Sequence, residues 1–347
     1  MFSVRGCVDD PATPTARAVL DPAQAICDPG LQGLPGAFEY LATPARLGAA
    51  LAEASGSIHD VRFQLLKHHP GRRCTFEVAF RTAGGWRRLV AKVHASDRSD
   101  VYRAMQGIAD AGFGPEAELA IPQPVAYVPE LCLLLQEQVA GPRAKEVFLS
   151  GGERERALAA ERCARWLAKF HAAGPRSGPT CEVVSEIGAV VAWCRTVARL
   201  GEGLATRARS LGERLIEQVP WPGPTRMRAG HGSYNCNQIV LAGARTVTFD
   251  WDGHDVADPA RDVARFAVAL QRLGLKYRGS IRAFDAEAER FLETYVSGSA
   301  SRVSWALPWW RGLACLRLAK YEANRPGDPW RDGIVALLDE GIRVLAR

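Results

Sequence analysis

An α+β fold in two lobes, a small antiparallel sheet followed by a mainly helical region, is what the chain predicts. Three observations predict it. Between residues 61 and 94, short runs rich in β-branched and aromatic side chains alternate with turn residues. One helical patch and two more apolar runs follow, and past Gly141 the apolar residues recur at helical spacing almost to the end. Near residue 240 a β-hairpin with polar ends interrupts the helices. With 347 residues the chain can bury a sizeable core in one large or two coupled domains. The expected divisions are an arm with short helices over 1–55, a sheet lobe over 56–140 and a helical lobe over 141–347.

Composition narrows the classes. No run of about 18 apolar residues exists, which argues against a membrane span. Residues 1–17 carry charges and prolines without an apolar core, so no secretory signal is legible. The net charge is +6, with basic residues scattered among acids. That scatter favours anionic small molecules weakly and nucleic acid hardly at all. Nine cysteines lie singly, without metal spacing, and read as reduced thiols in a cytoplasmic setting.

Taken in order, the arm holds helical patches at 35–41 and 43–54. Thr43-Pro44 marks a helix start, with the hydroxyl as N-cap and proline at the first helical position. Leu47, Leu51 and Ala54 share one face, so the arm is expected to pack. Strands are expected at 61–66, 74–81 and 86–94, broken by Pro70-Gly71 and Ala83-Gly84-Gly85. The first turn, His68-His69-Pro70-Gly71-Arg72-Arg73, is basic. It suits phosphates, through backbone N–H groups and guanidinium forks, about as well as it suits a solvated loop. The third strand carries Lys92 among apolar neighbours, where a snorkelling edge lysine is the plain alternative. A helix at 100–111, with Val101, Met105 and Ile108 on one face, stops at Gly112. Strands at 124–128 and 131–135 complete the lobe.

The second half predicts a helix at 153–173 with Ala160, Cys163, Leu167 and Phe170 inward, two helical patches within 182–218, and a break at Pro220-Trp221-Pro222-Gly223-Pro224. Asp258-Pro259 opens a helix running through Leu273, and patches at 281–297, 307–323 and 330–346 follow. Between them, residues 231–252 form a loop, two apolar runs joined by a Gly-Ala turn, and two acids. Antiparallel strands bring the ends of such a hairpin together, so His231, Ser233, Gln238, Asp250 and Asp252 share one mouth. A carboxylate and an amide oxygen there suit magnesium that also holds phosphates, and they equally suit an ordinary hairpin with polar turns.

The order strand-strand-strand(Lys)-helix-strand-strand, connector, helices, loop–hairpin–Asp resembles a protein-kinase-like fold, and in detail the aminoglycoside/choline phosphotransferase family. The motifs that carry the resemblance are His231-Gly232-Ser233-Tyr234-Asn235-Cys236-Asn237-Gln238, against the family's His-Gly-Asp-x-x-x-x-Asn, and Phe249-Asp250-Trp251-Asp252. Ala257-Asp258-Pro259-Ala260-Arg261-Asp262 follows, as Gly-Asp-Pro-x-x-Asp does in that family. Leu167-Ala168-Lys169-Phe170-His171 resembles its helix end, and Leu134-Leu135-Gln136-Glu137-Gln138-Val139-Ala140-Gly141 its hinge.

The resemblance implies an ATP- or GTP-dependent phosphotransferase with Mg²⁺, acting on a hydroxyl of a small-molecule acceptor. The 56–140 lobe would bind the nucleotide, and the 141–347 lobe would carry the catalytic loop and the acceptor site. Lys92 would hold the α/β-phosphates, with Arg72 and Arg73 nearby, and the backbone of Glu137 to Val139 would face the base. Asp250 and Gln238 would bind the metal, Gln238 standing where the family has asparagine. Asp258 and Asp262 read as structural acids. Ser233 stands where the family has the carboxylate that takes the substrate proton, and a serine hydroxyl needs a relay to do so. Asp252 or the substrate's own groups would compensate, and His231 is counted with Ser233 and Asp252 among the catalytic candidates. A non-catalytic nucleotide- or ligand-binding pseudokinase, or other chemistry in the same cleft, is the alternative. For the acceptor, Glu182, Glu186, Glu202, Glu213 and Glu217 with several tryptophans fit a cation. They fit a solvated face and a core better.

Overall fold

The computed structural model describes residues 27–51, 58–220, 227–299, 303, 305–327 and 329–346, with the backbone of Val19–Leu20. The chain divides into two compact units, residues 1–106 with 122–138, and residues 107–121 with 139–347.

The first unit is built on one antiparallel sheet. Its strands are β1 (Val19–Leu20), β2 (His59–His69), β3 (Arg73–Thr82), β4 (Gly85–His94), β6 (Pro124–Val128) and β7 (Leu133–Glu137), in the order β1-β2-β3-β4-β7-β6. Period-2 alternation sorts their side chains. Phe76, Val78 and Phe80 of β3, Leu89, Ala91 and Val93 of β4, and Leu133 and Leu135 of β7 lie in one core. The arm covers it with α1 (Leu34–Ala42) and α2 (Pro44–Ala50), which contribute Leu34, Phe38, Leu41 and Leu47. Phe38 stacks on Phe76 with centroids 4.6 Å apart and meets Phe63 edge-on at 5.2 Å. The alternate positions on β3, β4 and β7 hold buried polar groups, Glu77, Lys92 and Gln136. The arm therefore packs as the spacing of Leu47 predicted; Ala54 lies outside the described residues.

One local expectation fails. Thr43 precedes α2, and Pro44 holds its first position, but the hydroxyl does not cap the helix. Thr43 Oγ1 donates to the Glu39 carbonyl at 2.8 Å, one turn back in α1. Two helices meeting at one residue give the hydroxyl a carbonyl to donate to behind it, in place of accepting from the N–H groups ahead. Beyond β4, α3 (Ser99–Ile108) runs into a single wide turn, Ala109–Phe113, in which Gly112 takes φ +95°. Glycine reaches that conformation without a Cβ penalty and stops the helix.

The second unit holds β5 (Leu119–Ala120), α4 (Ala144–Ser150), α5 (Glu153–Ala173), α6 (Val183–Ala198), α7 (Glu202–Glu217), β8 (Arg228–Gly230), β9 (Ile239–Ala242), β10 (Arg245–Thr248), β11 (Asp255–Ala257), α8 (Pro259–Arg278), α9 (Asp285–Gly298), α10 (Leu307–Ala323) and α11 (Arg331–Leu345). The hairpin β9–β10 forms in the expected place, with Val247 opposite Val240. Four short elements carried no readable pattern: α4, β5, β8 and β11. β5 joins parallel to β10, Leu119 opposite Thr246, and β8 pairs with β11. α4 starts where the Glu146 carboxylate accepts from Arg143 N at 3.0 Å. The expected caps at α8 hold: the Asp258 side chain accepts from Ala260 N at 2.8 Å, and Pro259 follows. Trp309 and Trp310 are core residues.

An aromatic block joins α5 to the hairpin region. Trp166 stacks on Phe170 at 5.2 Å and on Tyr234 at 5.7 Å, and Trp251 tilts against Phe170 at 5.1 Å. Its polar edges are satisfied, with Tyr234 Oη donating to Cys163 O at 2.7 Å and Trp166 Nε1 to Ala120 O at 2.9 Å. Such rings bury large area in defined geometry, so the loop that carries Tyr234 is held by α5.

Candidate active site

Residues 231–255 leave the sheet at Gly230 and return to it at Asp255, which pairs with Gly230 across β8 and β11. Inside that closed segment two backbone positions are special. Gly232 has φ +78°, and a Cβ there would lie 1.8 Å from the Gly253 carbonyl oxygen. No other residue fits so close an approach. Asp250 is left-handed, at φ 75° and ψ 62°, a conformation that aspartate tolerates through its short polar side chain. It turns the chain out of β10 and sets its carboxylate beside the loop.

The side chains converge there. Gln238 Nε2 donates to Ser233 Oγ at 2.9 Å and to Asp250 Oδ2 at 3.3 Å. Its Oε1 accepts from Asn235 Nδ2 at 2.9 Å, and the same Nδ2 donates to Ser233 O at 2.7 Å. Asn235 Oδ1 accepts from Asn237 N at 2.9 Å. Asn235 therefore shapes the loop and fixes the Gln238 amide at once. Neither role is visible in a linear reading, although Asn-x-Asn in a polar loop is a side-chain turn signal.

His231 is wholly buried, and its ring hydrogen bonds decide its tautomer. Nε2 lies 3.1 Å from the Phe249 carbonyl oxygen, which can only accept, so the proton is on Nε2. Burial, the main cause, pulls its pKa below the usual value and keeps the ring neutral. Nδ1 is then an acceptor, and the Ser233 hydroxyl, 3.3 Å away, donates to it. Ser233 thus receives a hydrogen bond from Gln238 and gives one to His231.

Behind the loop stands a fully buried ion cluster. The His231 backbone N–H donates to Asp262 Oδ2 at 2.7 Å. Asp262 Oδ1 lies 3.7 Å from Arg261 Nη2, and His171 Nε2 is 3.7 Å from Oδ2. Burial pushes the Asp262 carboxyl up, but Arg261, with His171 adding, holds it far below the usual carboxylate range. Arg261 forms a two-pronged pair with Asp255. His171, in the last turn of α5, bonds Tyr295 Oη through Nδ1 at 2.8 Å.

Of the residues singled out from sequence, Ser233, His231, Gln238 and Asp250 form one hydrogen-bonded cluster. Asp252 lies half-buried in the turn Trp251–Gly253. Val139 is half-buried at the start of the second unit's main segment. The other candidates are in the first unit. Lys92 is buried on β4 between Thr75 and Leu134. Arg72 is exposed and Arg73 half-buried. In their turn the Gly71 N–H is held by Asp28 Oδ2 at 2.8 Å, and Arg72 N donates to His69 O at 3.0 Å. Two amides of the turn are therefore already engaged within the unit. Glu137 N donates to Gln123 O at 2.9 Å, and its carboxylate accepts from Gln123 N at 3.2 Å.

The model of the phosphotransferase enzyme family APH matches residues 70–312. The chain belongs to this family. Family members are phosphotransferases, kinases that act on hydroxyl groups. Among solved structures, a choline/ethanolamine kinase family protein from Mesorhizobium loti is 16% identical over 86% of this chain and 97% of its own, with a TM-score of 0.54. A glucosamine kinase solved with glucosamine, ADP and inorganic phosphate is 15% identical over 87% of this chain and 81% of its own, TM-score 0.59. Choline kinase from Cryptosporidium parvum is 10% identical over 84% of this chain and 90% of its own, TM-score 0.56. At these identities the likeness establishes the fold, a kinase-like α+β arrangement of antiparallel sheet and helical part. No curated protein matches the chain. No helix among the described residues is long and apolar enough to cross a membrane.

Proposed function

We propose that this family member transfers the terminal phosphate of ATP or GTP, with Mg²⁺, to a hydroxyl of a small molecule. The observation that carries the reading is the convergence of Ser233, Gln238 and left-handed Asp250 in one cluster. The donor set fits a hard divalent cation, since Asp250, the Gln238 amide and Ser233 all offer oxygen, and one carboxylate plus phosphates is the usual magnesium environment. The Gln238 amide now turns its nitrogen toward Asp250 and its oxygen toward Asn235. Holding a cation would require a half-turn of that amide, which brings its oxygen toward Asp250 and leaves the Ser233 hydrogen on His231 Nδ1. The bound metal supplies charge neutralisation for the phosphates. Lys92, Arg72 and Arg73 are assigned to phosphate oxygens, and the 137–139 backbone to the base.

Ser233 stands at the position of the family's proton-accepting carboxylate. Its Oγ would receive the acceptor hydroxyl's hydrogen bond. A proton leaving that hydroxyl passes to Oγ as the serine proton passes to His231 Nδ1. Burial makes His231 a weak base, so positioning carries most of the rate, as a loose transition state allows. Asp252 is the second carboxylate within reach along the chain.

One observation favours the alternative, a nucleotide- or ligand-binding pseudokinase or a cleft with other chemistry. The Gln238 amide turns its N–H, and not its oxygen, toward Asp250 Oδ2. ADP release across a panel of hydroxylated metabolites separates the two. Magnesium-dependent turnover that disappears in Asp250→Asn supports transfer; nucleotide binding with no turnover supports the pseudokinase. In Ser233→Asp, activity absent from the native chain would mean that the native protein is no kinase. Loss of an existing activity would give the serine its own role.

A further inference from the structure

One layer behind the catalytic loop, α6, α8 and α10 enclose a small cavity of about 10 Å³, room for one water-sized centre. Its polar lining is Arg261, Arg265, Arg317, Trp310 and Glu186. Donors dominate. Trp310 Nε1 and Arg261 Nε are buried and have no acceptor among the described residues. The Arg265 side chain is 14% exposed, and among the described residues its carboxylate within 4.0 Å is Glu186, at that limit. Asp255 engages the two terminal nitrogens of Arg261. Glu186, which also accepts from Cys181 Sγ at 3.5 Å, is thus the one carboxylate in the lining for Arg265 and Arg317. Arg317 is exposed on its outer side and lies over the Trp193 ring at 6.0 Å.

We propose that this cavity is an anion site for one acceptor atom, either a halide ion or one oxygen of a small-molecule carboxylate. The inventory of partners favours an anion over a water molecule. A water brings two hydrogens of its own, and Glu186 is the single acceptor side chain that lines the cavity. An anion brings none and can accept from several donors together, and hydrogen bonds between ionised partners are roughly twice as strong as neutral ones. Arg265 registers the shortage: burial first, then repulsion from Arg261 and Arg317, pulls its pKa down to about 9. It stays protonated at neutral pH, and Asp262 with Glu186 at 4.0 Å offsets that repulsion only in part. The cavity is coupled to the catalytic loop by covalent adjacency. A Cβ on Gly230 would lie 2.7 Å from Arg261 Nη2, and Asp262, the next residue of α8, holds the His231 N–H. The site does not depend on the phosphotransferase reading, and its test reads binding.

Sodium bromide and sodium formate are each titrated into the full chain at constant ionic strength, balanced with the bulkier isethionate, while thermal stability is followed. Crystals soaked in bromide are examined by anomalous diffraction. The expected result is saturable stabilisation by at least one of the two anions, with the ion located between the Arg265 guanidinium and Trp310 Nε1. In Arg265→Gln the affinity falls about tenfold or more, and in Trp310→Phe it falls a few-fold. Should Arg265→Gln fail to fold, the exposed Arg317→Gln together with Trp310→Phe gives the same reading. Formate displacing bromide identifies a carboxylate site; binding of bromide alone identifies a halide site. A linear, unsaturating response that is equal in the variants, or an ordered water in the cavity under both soaks, overturns the proposal.

Discussion

Two carboxylates of the second unit, Asp250 and Glu340, show how the same chemical group is put to opposite ends. Glu340, on α11, is 3% exposed and surrounded by donors. Arg343 Nε and Nη2 each reach it at 2.7 Å, Gln271 Nε2 at 2.9 Å and Arg311 Nη2 at 3.2 Å, with Arg282 added. Burial pushes its pKa up, but hydrogen bonds from Arg343, Arg282 and Gln271 bring it down to about 2. Asp250 is half-buried, two residues past the end of β10, in a left-handed backbone conformation, beside a neutral amide that donates to it at 3.3 Å. A carboxylate saturated by fixed guanidinium groups joins helices and can do little else. One left half-exposed beside a neutral amide donor is where the metal is proposed. The difference lies in the neighbours' charge, since both side chains end in the same carboxyl group.

The comparison is broken most severely from the Glu340 side. Glu340→Ala removes the acceptor shared by Gln271 and three partly exposed arginines and is expected to cost about 3 kcal/mol of stability, read from the denaturant midpoint. The pH dependence of the native chain should agree in sign. Glu340 has a folded pKa below its ordinary 4.5, so its contribution is complete above pH 4.5 and is lost as pH falls toward about 2. The loss, on the order of 2 kcal/mol after allowing for solvent around the arginines, should be missing from the acid limb of Glu340→Gln.

Asp250→Asn is the matching change in the other cluster. Asparagine also tolerates the left-handed conformation, so stability should stay within about 0.5 kcal/mol of the native value. Turnover should drop about 10²–10³-fold, measured as ADP release at saturating magnesium. A large stability loss with unchanged turnover would move Asp250 into the structural class. Gly232→Ala tests the frame that carries the cluster. Strain at positive φ together with the Gly253 clash should cost about 2–4 kcal/mol, visible as a lowered melting temperature. The smallest effect is expected from Ser233→Ala, which removes one donor and one acceptor from a half-exposed site. Turnover should fall about tenfold, with the magnesium requirement intact.

Much of the framework was legible because its determinants are local. The helices at 153–173 and 307–323 match α5 and α10 at both ends, since long periodic patterns average out local ambiguity. Strands β2 to β4 and the β9–β10 hairpin followed from alternation and turn residues. The elements that escaped are two to seven residues long. β5 exists because Leu119 and Ala120 find β10 far along the chain, and no two-residue pattern can encode that. The Thr43 cap failed for the same kind of reason, because its hydroxyl answered to the preceding helix rather than to its own.

The chemistry divides along similar lines. By itself the sequence determined which groups stand at the hairpin mouth: a serine, a glutamine, an aspartate and a histidine at spacings that a hairpin must bring together. It also determined the glycine that lets the loop pass Gly253. Tertiary structure alone decided which atom of each group faces which neighbour. It set the Gln238 nitrogen toward Asp250 and the Nε2 proton on His231, and it left the charge of Arg265 only partly offset between three helices. Residue identity fixes what a side chain can donate or accept. What it does donate to is a property of the packed neighbours, several of them on elements far away along the chain.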